Sequence, residues 1–129
     1  ETLPETDEDD LSFSNFIAGE NGVVRYWLKK GIKGWRLDVA DELSQGFLEE
    51  LRNAAKTEKD DSLIIGEVWE NAANKISYDQ RRRYFRGKQL DSVMNYPIKN
   101  AIIDFVKWGN AEKFYNEVTD IYPSYPDFD

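Results

Sequence analysis

Three short apolar runs, Gly34–Val39, Leu63–Val68 and Leu90–Asn95, recur along this chain at nearly constant intervals, each with a polar residue at or near its end. Asp38 precedes Glu67 by 29 residues, and Glu67 precedes Asn95 by 28. An interval of about 30 residues is what a strand, a crossover helix and the next strand occupy in a βαβ unit. Successive units of this kind place their strands parallel, with right-handed crossovers. The spacing therefore predicts an α/β fold, either a doubly wound sheet or part of a (β/α)8 barrel. No Gly-rich phosphate fingerprint follows any of the runs, which lowers the nucleotide-binding version.

The segments between the runs read as helices. Val23, Val24, Tyr26, Trp27 and Leu28 suit an amphipathic helix from Val23 to Lys30, stopped by Gly31. Phe47, Leu48, Leu51, Ala54 and Ala55 mark a second helix from about 41 to 57. A polar, Arg-rich stretch covers 70–87, and its Arg81-Arg82-Arg83 triplet reads as a solvated helix face. Tyr96-Pro97 breaks the third run before a helix from Ile98 to Lys107, and a last helix spans about 110–122. Residues 1–18 read as an irregular lead-in, acidic and patternless over 5–10, and 19–129 as the βα units of one domain. Trp35, Tyr26 and Trp27 are expected in the core.

Composition limits the partners. With 40% hydrophobic and 14% aromatic residues the chain has the apolar surface to order a core. A net charge of −8 is wrong for a nucleic-acid backbone or an anionic membrane surface, and no apolar run approaches the length of a membrane span. Neutral ligands such as sugars are compatible. There is no cysteine and no histidine, so no thiolate metal site, metal or cofactor is implied, and proton transfer must rest on carboxylates, Lys or Tyr. The sequence leaves the compartment, cytoplasmic or secreted, open.

In parallel α/β folds the site lies at the carboxyl ends of the strands, where Asp38 and Glu67 stand. On neighbouring strands about 4.8 Å apart, two carboxyls come near the roughly 5–5.5 Å that a retaining glycosidase needs between nucleophile and acid/base. Arg36, two residues before Asp38 on the same strand face, keeps Asp38 an anionic nucleophile. Glu67 would have to hold its proton near neutral pH, which requires a pKa raised by burial or by the nearby carboxylate. Trp69 offers an apolar wall or a sugar-stacking face, and Asn95 and Tyr96 can line the same site. From spacing alone a second reading is equally open: Arg36 and Asp38 as a buried ion pair, with Glu67 anchoring the following helix.

The strand Gly34-Trp35-Arg36-Leu37-Asp38-Val39-Ala40-Asp41-Glu42 resembles the strand-four motif of the α-amylase family of glycoside hydrolases, family thirteen, and Ile64-Ile65-Gly66-Glu67-Val68-Trp69 resembles its strand-five motif. Thr2-Leu3-Pro4 and Leu90–Pro97 are similar to the neopullulanase, cyclomaltodextrinase and maltogenic amylase branch. The resemblance implies a partial (β/α)8 barrel covering strands four to six. It also implies Asp38 as nucleophile, Arg36 as its partner and Glu67 as general acid/base. The implied substrates are maltodextrins, pullulan or cyclodextrins. Asp41 and Glu42 stand where many amylases carry Lys-His, which implies an altered reducing-end subsite.

The family's strand-three and strand-seven motifs are absent, in keeping with the missing histidine. The chain opens on Glu1 without an initiator Met and, at 129 residues, falls well short of the roughly 250 of a whole barrel. It therefore reads as a piece of one, inactive by itself and prone to self-association through exposed barrel edges. Transglycosylation or isomerisation on the same scaffold, and a non-catalytic carbohydrate-binding role, are the alternatives.

Overall fold

The computed structural model describes residues 6–77, 79–85 and 88–125. The Thr2-Leu3-Pro4 motif lies outside them. The elements run α1 (Leu11–Ala18), α2 (Val23–Lys29), β1 (Gly34–Leu37), α3 (Gln45–Glu58), β2 (Leu63–Gly66), β3 (Ile76–Ser77), β4 (Gln80–Arg81), β5 (Ser92–Val93), α4 (Tyr96–Trp108), α5 (Ala111–Ile121) and a 3-10 turn at Tyr122–Ser124. β1, β2 and β5 form one parallel sheet in that order, with Gly34 opposite Leu63, Leu37 opposite Gly66, and Gly66 also opposite Val93. The three apolar runs thus become three neighbouring parallel strands, as their spacing requires.

The strands are buried by α2 and α3 on one side. Phe47, Leu48, Leu51, Ala54 and Ala55 recur at helical spacing and turn one stripe of α3 inward. That stripe meets Val24 and Leu28 of α2 and Leu37 and Ile64 of the sheet in a single core. β2 sits close to its neighbours because Gly66 has no side chain: a Cβ there would stand 2.5 Å from Leu90 Cδ1 and 3.1 Å from the Ala40 Cβ. At the other end of the sheet, Asp91 ties helix to strand. Its Oδ2 accepts from the Ile64 N–H at 2.8 Å and from Lys56 at 3.0 Å, and its Oδ1 accepts from Arg52 at 2.6 Å.

Several expectations are corrected. Residues 11–18 form a helix rather than an irregular lead-in, because Asp10 caps it by accepting from the Ser12 and Phe13 N–H groups. The acidic stretch before it is structured too: Glu8 accepts from the Ser44 N–H at 2.8 Å, and Asp9 accepts from the Ser44 hydroxyl at 2.5 Å. α3 starts at Gln45 rather than 41, since Ser44 is its cap and residues 38–43 are a turn.

The interval between β2 and β5 has the length of a helical crossover but, among the described residues, holds the β3–β4 hairpin and turns instead. Arg81-Arg82-Arg83 is accordingly not a solvated helix face, and Arg82 is 5% exposed. Tyr96-Pro97 opens α4 rather than preceding it, because Pro is tolerated in a first turn. Tyr26 and Trp27, expected in the core, are about half exposed. No described helix is long and apolar enough to cross a membrane.

Candidate active site

β1 and β2 end side by side, so Asp38 and Glu67 follow the register pair Leu37–Gly66 at the carboxyl edge of the sheet. The ladder continues past the strands: the Glu67 N–H donates to the Leu37 carbonyl at 2.8 Å, and the Ala40 N–H donates to the Glu67 carbonyl at 3.0 Å. Arg36 joins the two carboxylates. Its Nη1 pairs with Asp38 Oδ1, its Nη2 stands 3.0 Å from Glu67 Oε1, and its Nε lies 3.4 Å from the Met94 sulfur. The three charged groups expected from the sequence are therefore one cluster, with a single guanidinium shared by both carboxylates. Of the alternative reading, Glu67 does reach the helix that follows, through the Tyr96 hydroxyl at 2.8 Å, but the Arg36–Asp38 pair is exposed rather than buried.

The two carboxylates differ in environment. Asp38 projects into solvent, with its side chain 72% exposed, whereas the Glu67 side chain is 9% exposed. Glu67 is held by donors on three sides. The Tyr96 hydroxyl donates to Oε1 at 2.8 Å, the Val39 N–H donates to Oε2 at 3.1 Å, and the Trp69 side chain contributes a further bond. The expectation of a raised pKa is corrected by these donors. Tyr96 first, then Val39, Trp69 and Arg36, outweigh burial and hold Glu67 down at about 2. In this state Glu67 is a carboxylate. Its charge in turn pushes the Tyr96 hydroxyl up, and Asp38 pushes the Arg36 guanidinium further up.

Val39 makes this arrangement possible at a cost. Its φ is +43°, a conformation that β-branched residues rarely adopt and that costs on the order of 1–3 kcal/mol. The strained turn aims the Val39 N–H at Glu67 while Asp38 points outward. No sequence signal marked Val39, because its residue type argues for continuing the strand.

The remaining residues divide. Trp69 is 61% exposed, with its ring 6.5 Å from that of Tyr96, so the two form one open aromatic wall beside Glu67. Asn95 caps α4, its Oδ1 accepting from the Ile98 N–H at 3.0 Å. Asp41 is held from another segment. Its carboxylate accepts from the Tyr84 hydroxyl and pairs with Lys75 at 3.2 Å, and it faces the β2–β5 connection. Glu42 is exposed on the turn. A cavity of about 320 Å³ between residues 72–73, 81–85 and 123–125 includes neither carboxylate. Among the described residues no cluster of three or more acidic side chains has a metal-binding arrangement.

The "Alpha amylase, catalytic domain" family matches residues 9–124. Neopullulanase 2 of Thermoactinomyces vulgaris is 39% identical over 107 residues, covering 81% of this chain and 17% of that protein. A cyclomaltodextrinase of Thermoanaerobacter pseudethanolicus is 44% identical over 84 residues, covering 64% of this chain and 13% of that protein. Among solved structures, the native Nostoc punctiforme debranching enzyme aligns over 96% of this chain and 27% of its own, at 29% identity and a TM-score of 0.78. This chain therefore spans less than a fifth of the length of those two sequence relatives. The family is one of glycoside hydrolases built on a (β/α)8 barrel, and this chain, by motif, fold and similarity, belongs to the α-amylase catalytic domain family.

Proposed function

We propose that this chain is the strand-four to strand-six portion of a barrel that hydrolyses α-glucosidic bonds in maltodextrins, pullulan or cyclodextrins with retention. β1, β2 and β5 are those three strands in order. Asp38 is the nucleophile: exposed and paired with Arg36, it attacks the anomeric carbon and forms a glycosyl ester while the bond to the leaving oxygen breaks. Glu67 is the acid and then the base, giving a proton to that oxygen and later taking one from the water that cleaves the ester.

The observation that carries this reading is the shared guanidinium. Arg36 places an exposed and a buried carboxylate side by side at the ends of adjacent parallel strands. Two carboxylates in unlike environments are what a division between nucleophile and acid/base requires. At rest Glu67 is deprotonated, so it must gain a proton as substrate binds. A glucan that expels water raises its pKa, and a ligand that draws Arg36 toward Asp38 does the same. Trp69 and Tyr96 present the face on which a glucosyl ring stacks, and Glu42 reaches the reducing-end side.

The test is covalent trapping in the full-length protein with an α-glucosyl fluoride made slow by ring fluorination. In a Glu67→Gln variant, peptide mass analysis is expected to find the glycosyl group on Asp38. A label on another residue, or an inverted product with no label, overturns the reading.

A further inference from the structure

The turn that carries Asp38 is gripped from outside the sheet. Arg82, buried in the β2–β5 connection, donates from Nη2 to the Ala40 carbonyl at 3.0 Å and to the Leu43 carbonyl, and from Nε to the Tyr84 oxygen at 3.0 Å. The Tyr84 hydroxyl passes the chain on, donating to Asp41 Oδ1, while Lys75 holds Oδ2 and Ser77 reaches the Asp41 carbonyl at 3.4 Å. Tyr84 is 1% exposed, and burial first, then Asp41, push its hydroxyl up, so it remains a donor. Three carbonyls and one carboxylate of residues 40–43 are thus fixed by one neighbouring segment. The strained residue, Val39, stands immediately before them.

A turn free to relax would return Val39 to negative φ and swing its N–H away from Glu67. A guanidinium also does not enter a protein interior without a full set of acceptors, and here two of those acceptors are the turn's own carbonyls. We propose that Arg82 and Tyr84, acting through Asp41, are positioning residues of the active site: they hold the Asp38–Leu43 turn in its strained form and so keep the Val39 N–H on Glu67. The inference rests on the reading of Asp38 and Glu67 as the catalytic pair, and it gives the arginine triplet a role that the sequence does not display. Arg83, its neighbour, turns the other way, to Gln45 and Glu49.

The experiment is a carbon-13 NMR titration of the Glu67 carboxyl in this chain. The groups facing that carboxyl are Arg36 and Asp38 from the β1 edge, Tyr96 from α4, and Trp69. In Tyr84→Phe, which removes one oxygen, the Glu67 midpoint is expected to rise by about one pH unit, as loss of one hydrogen bond to a charged acceptor requires. Asp41→Asn, which weakens the link from the turn side, is expected to move it in the same direction. Arg83→Gln is expected to leave it in place.

A midpoint unmoved in both Tyr84→Phe and Asp41→Asn, with native amide dispersion, overturns the proposal. So does an equal rise in Arg83→Gln. The readout requires no turnover: a shifted midpoint in a chain whose full-length protein cleaves no α-glucan keeps the positioning unit and removes the glycosidase reading. In a full-length protein that does cleave α-glucan, Tyr84→Phe is expected to lower kcat several-fold with KM nearly unchanged.

Discussion

Replacing Asp91 by Ala removes a carboxylate that never touches the site, yet it is expected to destabilise the chain strongly. Asp91 Oδ2 is the acceptor for the N–H of Ile64, a residue with 0% exposure in the middle of β2. Leaving that N–H unpaired costs about 1–3 kcal/mol. The pairs with Arg52 and Lys56 are partly exposed, with cation side chains at 16% and 26%, and add about 0.5–1 kcal/mol each after solvent screening. The loss is therefore about 2–5 kcal/mol.

The assay is urea unfolding at neutral pH, followed by tryptophan fluorescence and by far-UV circular dichroism. A loss below about 1 kcal/mol would refute the argument that β2 is closed at its start by this side chain. The pH dependence supplies a second check. Burial raises the Asp91 pKa, but the Ile64 N–H, Arg52 and Lys56 outweigh it, so the folded value lies below the ordinary 3.8. Its contribution is thus complete above the unfolded value and vanishes as pH falls through the folded one. The difference in stability between wild type and variant should start to shrink as pH falls below about 4 and narrow further through the lower folded value.

Gly66→Ala is expected to cost about 1–3 kcal/mol, because the added methyl meets Leu90 at 2.5 Å and Ala40 at 3.1 Å; an unchanged urea midpoint would contradict that packing. Among the described residues β1 and β5 pair on one side only, so the chain is expected to self-associate with rising concentration, and a strict monomer throughout sedimentation equilibrium would exclude edge pairing.

Much of the site was legible in the sequence because strand chemistry is local. Alternation along β1 places Arg36 and Asp38 on one face whatever surrounds them, and the regular interval to Glu67 requires two neighbouring parallel strands. The stripe of α3 follows from the same short-range rules. The protonation state of Glu67 was not legible. It depends on Tyr96, 29 residues away, and on a backbone N–H that reaches the carboxylate only because Val39 adopts positive φ.

The same limit applies to the polar residues around the turn. Arg82 read as a surface charge and Asp41 as a subsite residue, since a side chain's partners are set by which loop the fold lays against it rather than by its own neighbours in the chain. The sequence by itself determined that two carboxylates would meet at the ends of parallel strands, because periodicity and interval fix that. Only the tertiary structure decided which of them is buried, which donors it accepts from and which buried arginine holds the turn between them, because those depend on contacts between segments whose approach no local pattern encodes.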